Sequence, residues 1–278
     1  MGGPDAGTVC GMQRISAVAD SLVGLCRRTG LTVRGLVALT AAVFTTAGAA
    51  VVMAVTSEDV IGHNGMATDD PQWLRFVTDH RTGWLLHLAR AVTAVGAVGV
   101  LGVLAIVAAV VLWLRGARLA LAIAPAVALA VAGACAAMGK QLVGRSRPPI
   151  GMRLVSDSEA SFPSGHTTDS TALFVALALV LAVVVLRSPR MRALIVTGAV
   201  ALAGAVGASR LELGAHWPTD VIAGHALGLA VAVAITTVAV LVNRVAPPPS
   251  LEGSHRRLSR VRMVLCAQRH PTILNATA

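Results

Sequence analysis

The sequence predicts an all-α, polytopic membrane protein with six transmembrane helices, and three observations carry that prediction. Hydrophobic residues make up 55% of the 278-residue chain, charged residues only 13%, and mean hydropathy is +0.75; a soluble domain carries about 25% charged residues. Several apolar runs reach the roughly 20 residues that cross about 30 Å of hydrocarbon. Basic residues collect in alternate loops between those runs, the pattern of the positive-inside rule.

Taken in order, residues 1–30 are mixed and basic and form a segment before the membrane domain of 31–243. Within them Ile15, Val18, Leu22 and Leu25 recur at near-helical spacing, which suits a short surface-lying helix. The first span covers 31–55, with too long a polar lead for a cleaved signal peptide. A polar, acidic loop over 56–82 follows; its Trp73, Leu74 and Phe76 read as an interfacial anchor. The second span runs from 83 to 114 and the third from 119 to 138, separated by Arg115 and Arg118. The stretch 139–163 has the Gly, Pro, Ser and charge of a loop. The fourth span occupies 166–186, the fifth 193–208 and the sixth 218–242. Residues 244–278 read as a basic, disordered tail.

Six spans put both termini on one side. Placing the termini, Arg115, Arg118 and the 187–192 turn in the cytoplasm gives that side 15 of the 23 Lys+Arg and 3 of the 13 Asp+Glu. The expected location is therefore the plasma membrane, multi-pass, with both termini inside. Trp73, Trp84, Trp113 and Trp217 all fall at span ends or loops, as an aromatic belt requires. The net charge of +10 does not indicate a nucleic-acid partner, because aromatics are 3%, Tyr is absent and no basic stripe carries stacking residues. Cys10, Cys26, Cys135 and Cys266 have neither disulfide nor metal-ligand spacing. No residue pattern specifies an oligomeric state.

With this topology the polar residues of three segments meet at the extracytoplasmic interface. Lys140 begins the loop after the third span, and Arg147-Pro148 follows. Pro163-Ser164-Gly165-His166 opens the fourth span. Ser209-Arg210 ends the fifth, and His216 and Asp220 introduce the sixth. Lys140, Arg147 and Arg210 suit a phosphate dianion. Pro-Ser-Gly before a helix offers free backbone N–H groups at a positive dipole end. Two histidines can divide nucleophile and acid roles, and a carboxylate four residues after His216 falls one turn away, where it would fix the tautomer. The acidic residues are too dispersed for a metal cage, so neither metal nor cofactor is expected.

These residues resemble the type 2 phosphatidic acid phosphatase family, which also includes bacterial prenyl-diphosphate phosphatases and vanadium haloperoxidases. The resemblance covers roughly 95–243 and rests on three motifs: Lys140 to Arg147-Pro148, Pro163 to His166, and Ser209-Arg210 with His216 and Asp220. It implies that His216 attacks phosphorus to give a phosphohistidine, Asp220 orients it, and His166 protonates the leaving alcohol and then activates water. It implies that Lys140, Arg147, Arg210, Ser164 and the Gly165 amide hold the phosphoryl oxygens. The implied substrate is a lipid phosphate of the phosphatidate type, or undecaprenyl diphosphate as the alternative. A catalytically silent lipid-phosphate binder is a further reading, though both histidines are present. A halide-oxidising enzyme is opposed by six apolar spans.

Other polar residues have plainer readings. Arg75, Arg81 and Arg90 are expected to snorkel beside headgroups, and Arg145 and Arg153 to be ordinary loop cations. Asp169 reads as a solvated acid in a helix first turn, and His225 as a neutral, hydrogen-bonded packing residue. The Asn275-Ala-Thr277 sequon lies in the tail assigned to the cytoplasm.

Overall fold

The computed structural model describes residues 32–156 and 159–245. The surface helix expected within 1–31, the tail beyond 245, its sequon, and Cys10, Cys26 and Cys266 lie outside them. Eight α-helices follow one another among the described residues, without a strand. They are α1 (Val33–Gly62), α2 (Asp70–Asp79), α3 (Gly83–Val95), α4 (Val98–Leu114), α5 (Leu119–Val143), α6 (Gly165–Val184), α7 (Pro189–Glu212) and α8 (Pro218–Val245). The chain divides into two compact units, 1–45 and 46–278, with the boundary inside α1. The description below concerns the second.

Five helices, α1 and α5 to α8, are each long and apolar enough to cross a membrane, and α3 with α4 makes a sixth crossing as a bent pair. The chain is a membrane protein with several spans. Exposed apolar side chains on the spans make faces suited to lipid rather than water. On α4, Val103, Ile106, Val107 and Val110 lie on one stripe and are all exposed.

Several expected boundaries change, two of them substantially. The single second span over 83–114 is two helices, bent by 51°. At ~1.5 Å per residue neither the 13 residues of α3 nor the 17 of α4 reaches 30 Å alone. Ala97, between them, is extended (φ −67°, ψ 135°). The residues on both sides of the break are apolar, so no polar interruption marks it in the sequence. At the break the chain packs closely on α7: a Cβ at Gly96 would sit 2.5 Å from Val206 Cγ1. The loop expected over 56–82 is also mostly helical, because α1 continues to Gly62 and α2 follows. Leu74 of α2 is fully buried, whereas Trp73 and Phe76 are exposed.

Helix α6 is the centre of the bundle and packs against α5, α7 and α8. Its buried face is unusually polar at the start (Thr167, Thr168, Ser170, Thr171) and apolar beyond. Thr168 and Thr171 donate to the carbonyls of Ser164 and Thr167, so these hydroxyls are satisfied locally. His225 of α8 meets Thr171 Oγ1 at 2.9 Å, the packing role expected of it. The approach of α8 to α6 depends on Gly224 and Gly228, a small-xxx-small pair of the kind that lets membrane helices touch closely. A Cβ at Gly228 would lie 2.5 Å from Thr168 O, and one at Gly224 would lie 2.9 Å from Ser164 O.

Replacing Gly228 by valine is therefore expected to destabilise the protein by about 1–3 kcal/mol through overpacking. Thermal unfolding in detergent checks this, and an unchanged midpoint would contradict the packing account.

Candidate active site

The helices run alternately up and down, so the end of α5, the start of α6, the end of α7 and the start of α8 share one end of the bundle. That end holds a cavity of about 550 Å³. Lys140, Arg147, Gly165, His166, Arg210 and His216 all line it. Six of the eight residues singled out in the sequence therefore share one space.

Their placement follows from local structure. Lys140 does not begin a loop: α5 continues to Val143, and the lysine sits in its last turn, near the carbonyl end of the helix. Its Nζ donates to Glu159 Oε2 at 3.0 Å and to Ala160 O at 3.1 Å. Arg147 stands in the connecting segment and donates from Nε to Glu159 O (2.7 Å) and from Nη1 to Ala215 O (2.8 Å). Arg210, in the last turn of α7, is 3% exposed and donates to Thr93 Oγ1 at 2.9 Å. Gly165 and His166 form the start of α6, where N–H groups lack intrahelical acceptors.

His216 lies in the short turn before α8 and is 1% exposed. Its Nδ1 is 3.3 Å from Asp220 Oδ2, one helical turn on. An ionised carboxylate only accepts, so Nδ1 carries the proton and Nε2 bears the lone pair. Nε2 accepts from Arg147 Nη1 at 3.3 Å. Burial lowers the His216 pKa, and this outweighs the opposing hydrogen bond and charge of Asp220. The ring is a neutral imidazole with its lone pair presented to a cationic cavity.

Asp220 is fully buried behind it. Oδ2 accepts from Ser161 Oγ, from Trp217 N (2.9 Å) and from His216, while Oδ1 accepts from Arg145 Nη1 at 2.6 Å. Ser164 is placed differently from the other motif residues. Its side chain is buried, accepts from Thr167 Oγ1 at 2.9 Å, and does not line the cavity. Its backbone N–H donates to Asp220 O at 3.1 Å, holding the start of α6 on α8. Among the described residues no three His, Cys, Asp or Glu side chains form a set able to hold a metal ion.

The match to known proteins covers this same region. Residues 121–244 fit the model of the PAP2 superfamily. This segment belongs to that superfamily. Phosphatidylglycerophosphatase B of Bacillus subtilis is 37% identical over 92 residues, 32% of this chain and 44% of that protein. The lipid A 1-phosphatase of Rhizobium etli is 37% identical over 105 residues, 34% of this chain and 40% of that one. The decaprenylphosphoryl-5-phosphoribose phosphatase of Mycobacterium tuberculosis is 34% identical over 111 residues, 39% and 55%. The chain thus spans about half the length of these relatives. A solved transmembrane PAP2 type phosphatidylglycerolphosphate phosphatase from Bacillus subtilis has the same fold, with a TM-score of 0.66, 20% identity, and coverage of 74% of this chain and 100% of that one.

The PAP2 segment is completed by residues that sequence reasoning passed over. Arg145 is not a loose loop cation. Besides Asp220 it donates to Thr219 Oγ1 at 2.7 Å and from Nη2 to Asp70 Oδ2 at 2.6 Å, and its guanidinium lies over the Trp217 ring. Asp70, at the start of α2 and 1% exposed, also accepts from Thr219 N (3.0 Å) and Thr219 Oγ1. Arg81 does not simply snorkel either: it donates to Glu212 O at 2.7 Å and Met152 O at 2.9 Å, fastening the loops around the turn that carries His216. No local signal marks Asp70, since its partners are 75 and 149 residues away.

Two outcomes follow. Asp70→Ala leaves a mostly buried guanidinium short of one carboxylate, and a loss of about 1–3 kcal/mol is expected in detergent unfolding. The depressed His216 pKa means that the unfolded chain takes up this proton first as pH falls through about 6.5. Acidification through that value therefore disfavours the folded state, and an NMR titration should find His216 less than half protonated at pH 6.5. A titration midpoint at or above that pH would contradict the burial of the ring.

Proposed function

We propose that this protein is a metal-independent lipid phosphate phosphatase that hydrolyses a terminal, phosphatidate-type phosphomonoester through a phosphohistidine intermediate. The observation that carries the reading is the pairing of two histidines across one cationic cavity. His216 is held on its Nδ1 by a buried carboxylate, and His166 stands at the start of α6 with Lys140, Arg147 and Arg210 around the same space. The superfamily of the segment and the phosphatase names of the relatives support it.

In this reading the His216 Nε2 lone pair attacks phosphorus while the bond to the lipid oxygen breaks, and His166 gives that oxygen a proton. Asp220 keeps the proton on Nδ1 and stabilises the positive charge that the ring acquires. His166, now neutral, takes a proton from water as the water attacks the phosphohistidine, which releases phosphate and restores both rings. Arg147, Arg210, Lys140 and the Gly165 N–H stabilise the phosphoryl oxygens, most strongly where charge builds up in transfer. Ser164 contributes by seating the start of α6 through its backbone. Lys140 exchanges an exposed glutamate for the phosphate, so binding does not require breaking a buried pair.

The site is proposed to open at the extracytoplasmic face of the plasma membrane, on the basis of the Lys+Arg asymmetry. There a lipid presents its headgroup while its tails stay in the bilayer. The same orientation, together with a relative named for a decaprenyl lipid, supports undecaprenyl diphosphate as the second substrate reading.

Purified protein in mixed micelles with EDTA is expected to release inorganic phosphate from a lipid phosphomonoester. His216→Ala and His166→Ala should each lower the rate by at least about 10³-fold while the protein still inserts and folds. Near-wild-type release by either variant would refute the assignment, and a folded wild type that releases nothing would leave a binding role.

A further inference from the structure

The cavity is larger than the group on which the histidines act. Its volume of about 550 Å³ falls in the range of pockets that take whole small-molecule ligands, whereas a phosphoryl group has few heavy atoms. Residues of both α5 and α6 line the cavity. Gly133, Ala136 and Ala137 line it below Lys140, all on one face of α5. Gly133 lies about 10 Å along the helix from the lysine. This wall is bare of side chains large enough to fill the space.

One polar group faces it. Asp169 of α6 lines the cavity, and a Cβ placed at Gly133 would sit 3.3 Å from its Oδ1. That oxygen is buried and has no hydrogen-bond partner among the described residues. A buried acceptor without a donor is costly to keep. A carboxylate close to a phosphate site also repels the phosphoryl oxygens. A hydrogen-bond donor that arrives with the substrate on the cavity side of the carboxylate would offset that repulsion.

The position of Asp169 says which part of the substrate brings the donor. It is three residues after His166, on the same face of α6 and about 4.5 Å along its axis. The oxygen leaving phosphorus lies against the acid that protonates it. The carbons bonded to that oxygen therefore enter the space that Asp169 borders. A hydroxyl one carbon along the leaving alcohol is within reach of the carboxylate. Prenyl phosphate and diacylglycerol leaving groups carry no such hydroxyl.

We propose that Asp169 is a specificity-determining residue that accepts a hydrogen bond from a free hydroxyl on the leaving alcohol. The preferred substrates are then phosphomonoesters of a glycerol or sugar unit that keeps a hydroxyl next to the phosphate. This rests on the phosphatase reading of the same cavity and narrows it.

The test compares lysophosphatidate, which has such a hydroxyl, with its 2-deoxy analogue, which differs only in lacking it. For the wild type, kcat/KM should favour the hydroxylated ester by about tenfold or more, the effect of one hydrogen bond to a charged acceptor. In Asp169→Ala the ratio should fall to near one, with turnover of the deoxy ester kept within a few-fold. Asp169→Asn preserves the packing against Gly133 and should give an intermediate ratio, which keeps the test open if the alanine variant fails to fold. Equal rates on the two esters for the wild type, or equal losses on both in both variants, would overturn the proposal and leave the phosphatase reading standing. No phosphate release from either ester by folded wild type would remove the phosphatase reading and this proposal with it.

Discussion

The carboxylate of Asp220 is the point through which the rest of the site is held. A buried charge is tolerated only when it is paired and its oxygens are supplied with donors, and here four donors converge on two oxygens. The donors come from two separate stretches: Arg145 and Ser161 from either end of the segment joining α5 to α6, and His216 and Trp217 from the turn before α8. Through Arg145 the same carboxylate is tied to Asp70 of α2. The backbone carbonyl of Asp220 also accepts from Ser164, so the start of α6 hangs on this residue as well.

Membrane packing makes that convergence possible. Ser164 N–H reaches Asp220 O only if the start of α8 lies against the start of α6, and Gly224 and Gly228 provide that backbone approach. Because apolar side chains gain nothing over lipid tails by meeting each other, close contact and polar pairing must hold the helices. The structure concentrates its polar pairs at one end of the bundle. The same arrangement that stabilises the helices leaves Lys140, Arg147 and Arg210 around a single cavity. Their positive charge is offset inside by backbone carbonyls and one exposed glutamate, which an anionic substrate can displace.

How much of this was legible in the sequence differs by residue. His216 and Asp220 are four apart, so helical geometry alone brings them together. Lys140, Arg147, His166 and Arg210 follow from topology, since antiparallel spans bring alternate ends together. His225 was legible as a packing residue because it lies deep in an apolar run. The break at Gly96 was not, because the residues flanking it are apolar on both sides and the close packing on Val206 is a long-range contact. Arg145 and Asp70 were not, because their meaning depends on a pairing across 75 residues. Asp169 looked like a first-turn acid facing solvent; only the bare wall at Gly133 makes it a cavity residue. Ser164 sits in the expected motif, yet its hydroxyl turns into the helix because Thr167 donates to it.

The central claim is that phosphorus passes through His216 rather than directly to water. Two in-line displacements restore the configuration at phosphorus, whereas one inverts it. The most direct measurement is therefore the stereochemical course of hydrolysis of an isotope-labelled chiral thiophosphate lipid ester by the purified protein. Retention is the result this account predicts. Inversion would contradict it, and would recast His216 as a base for a single attack by water.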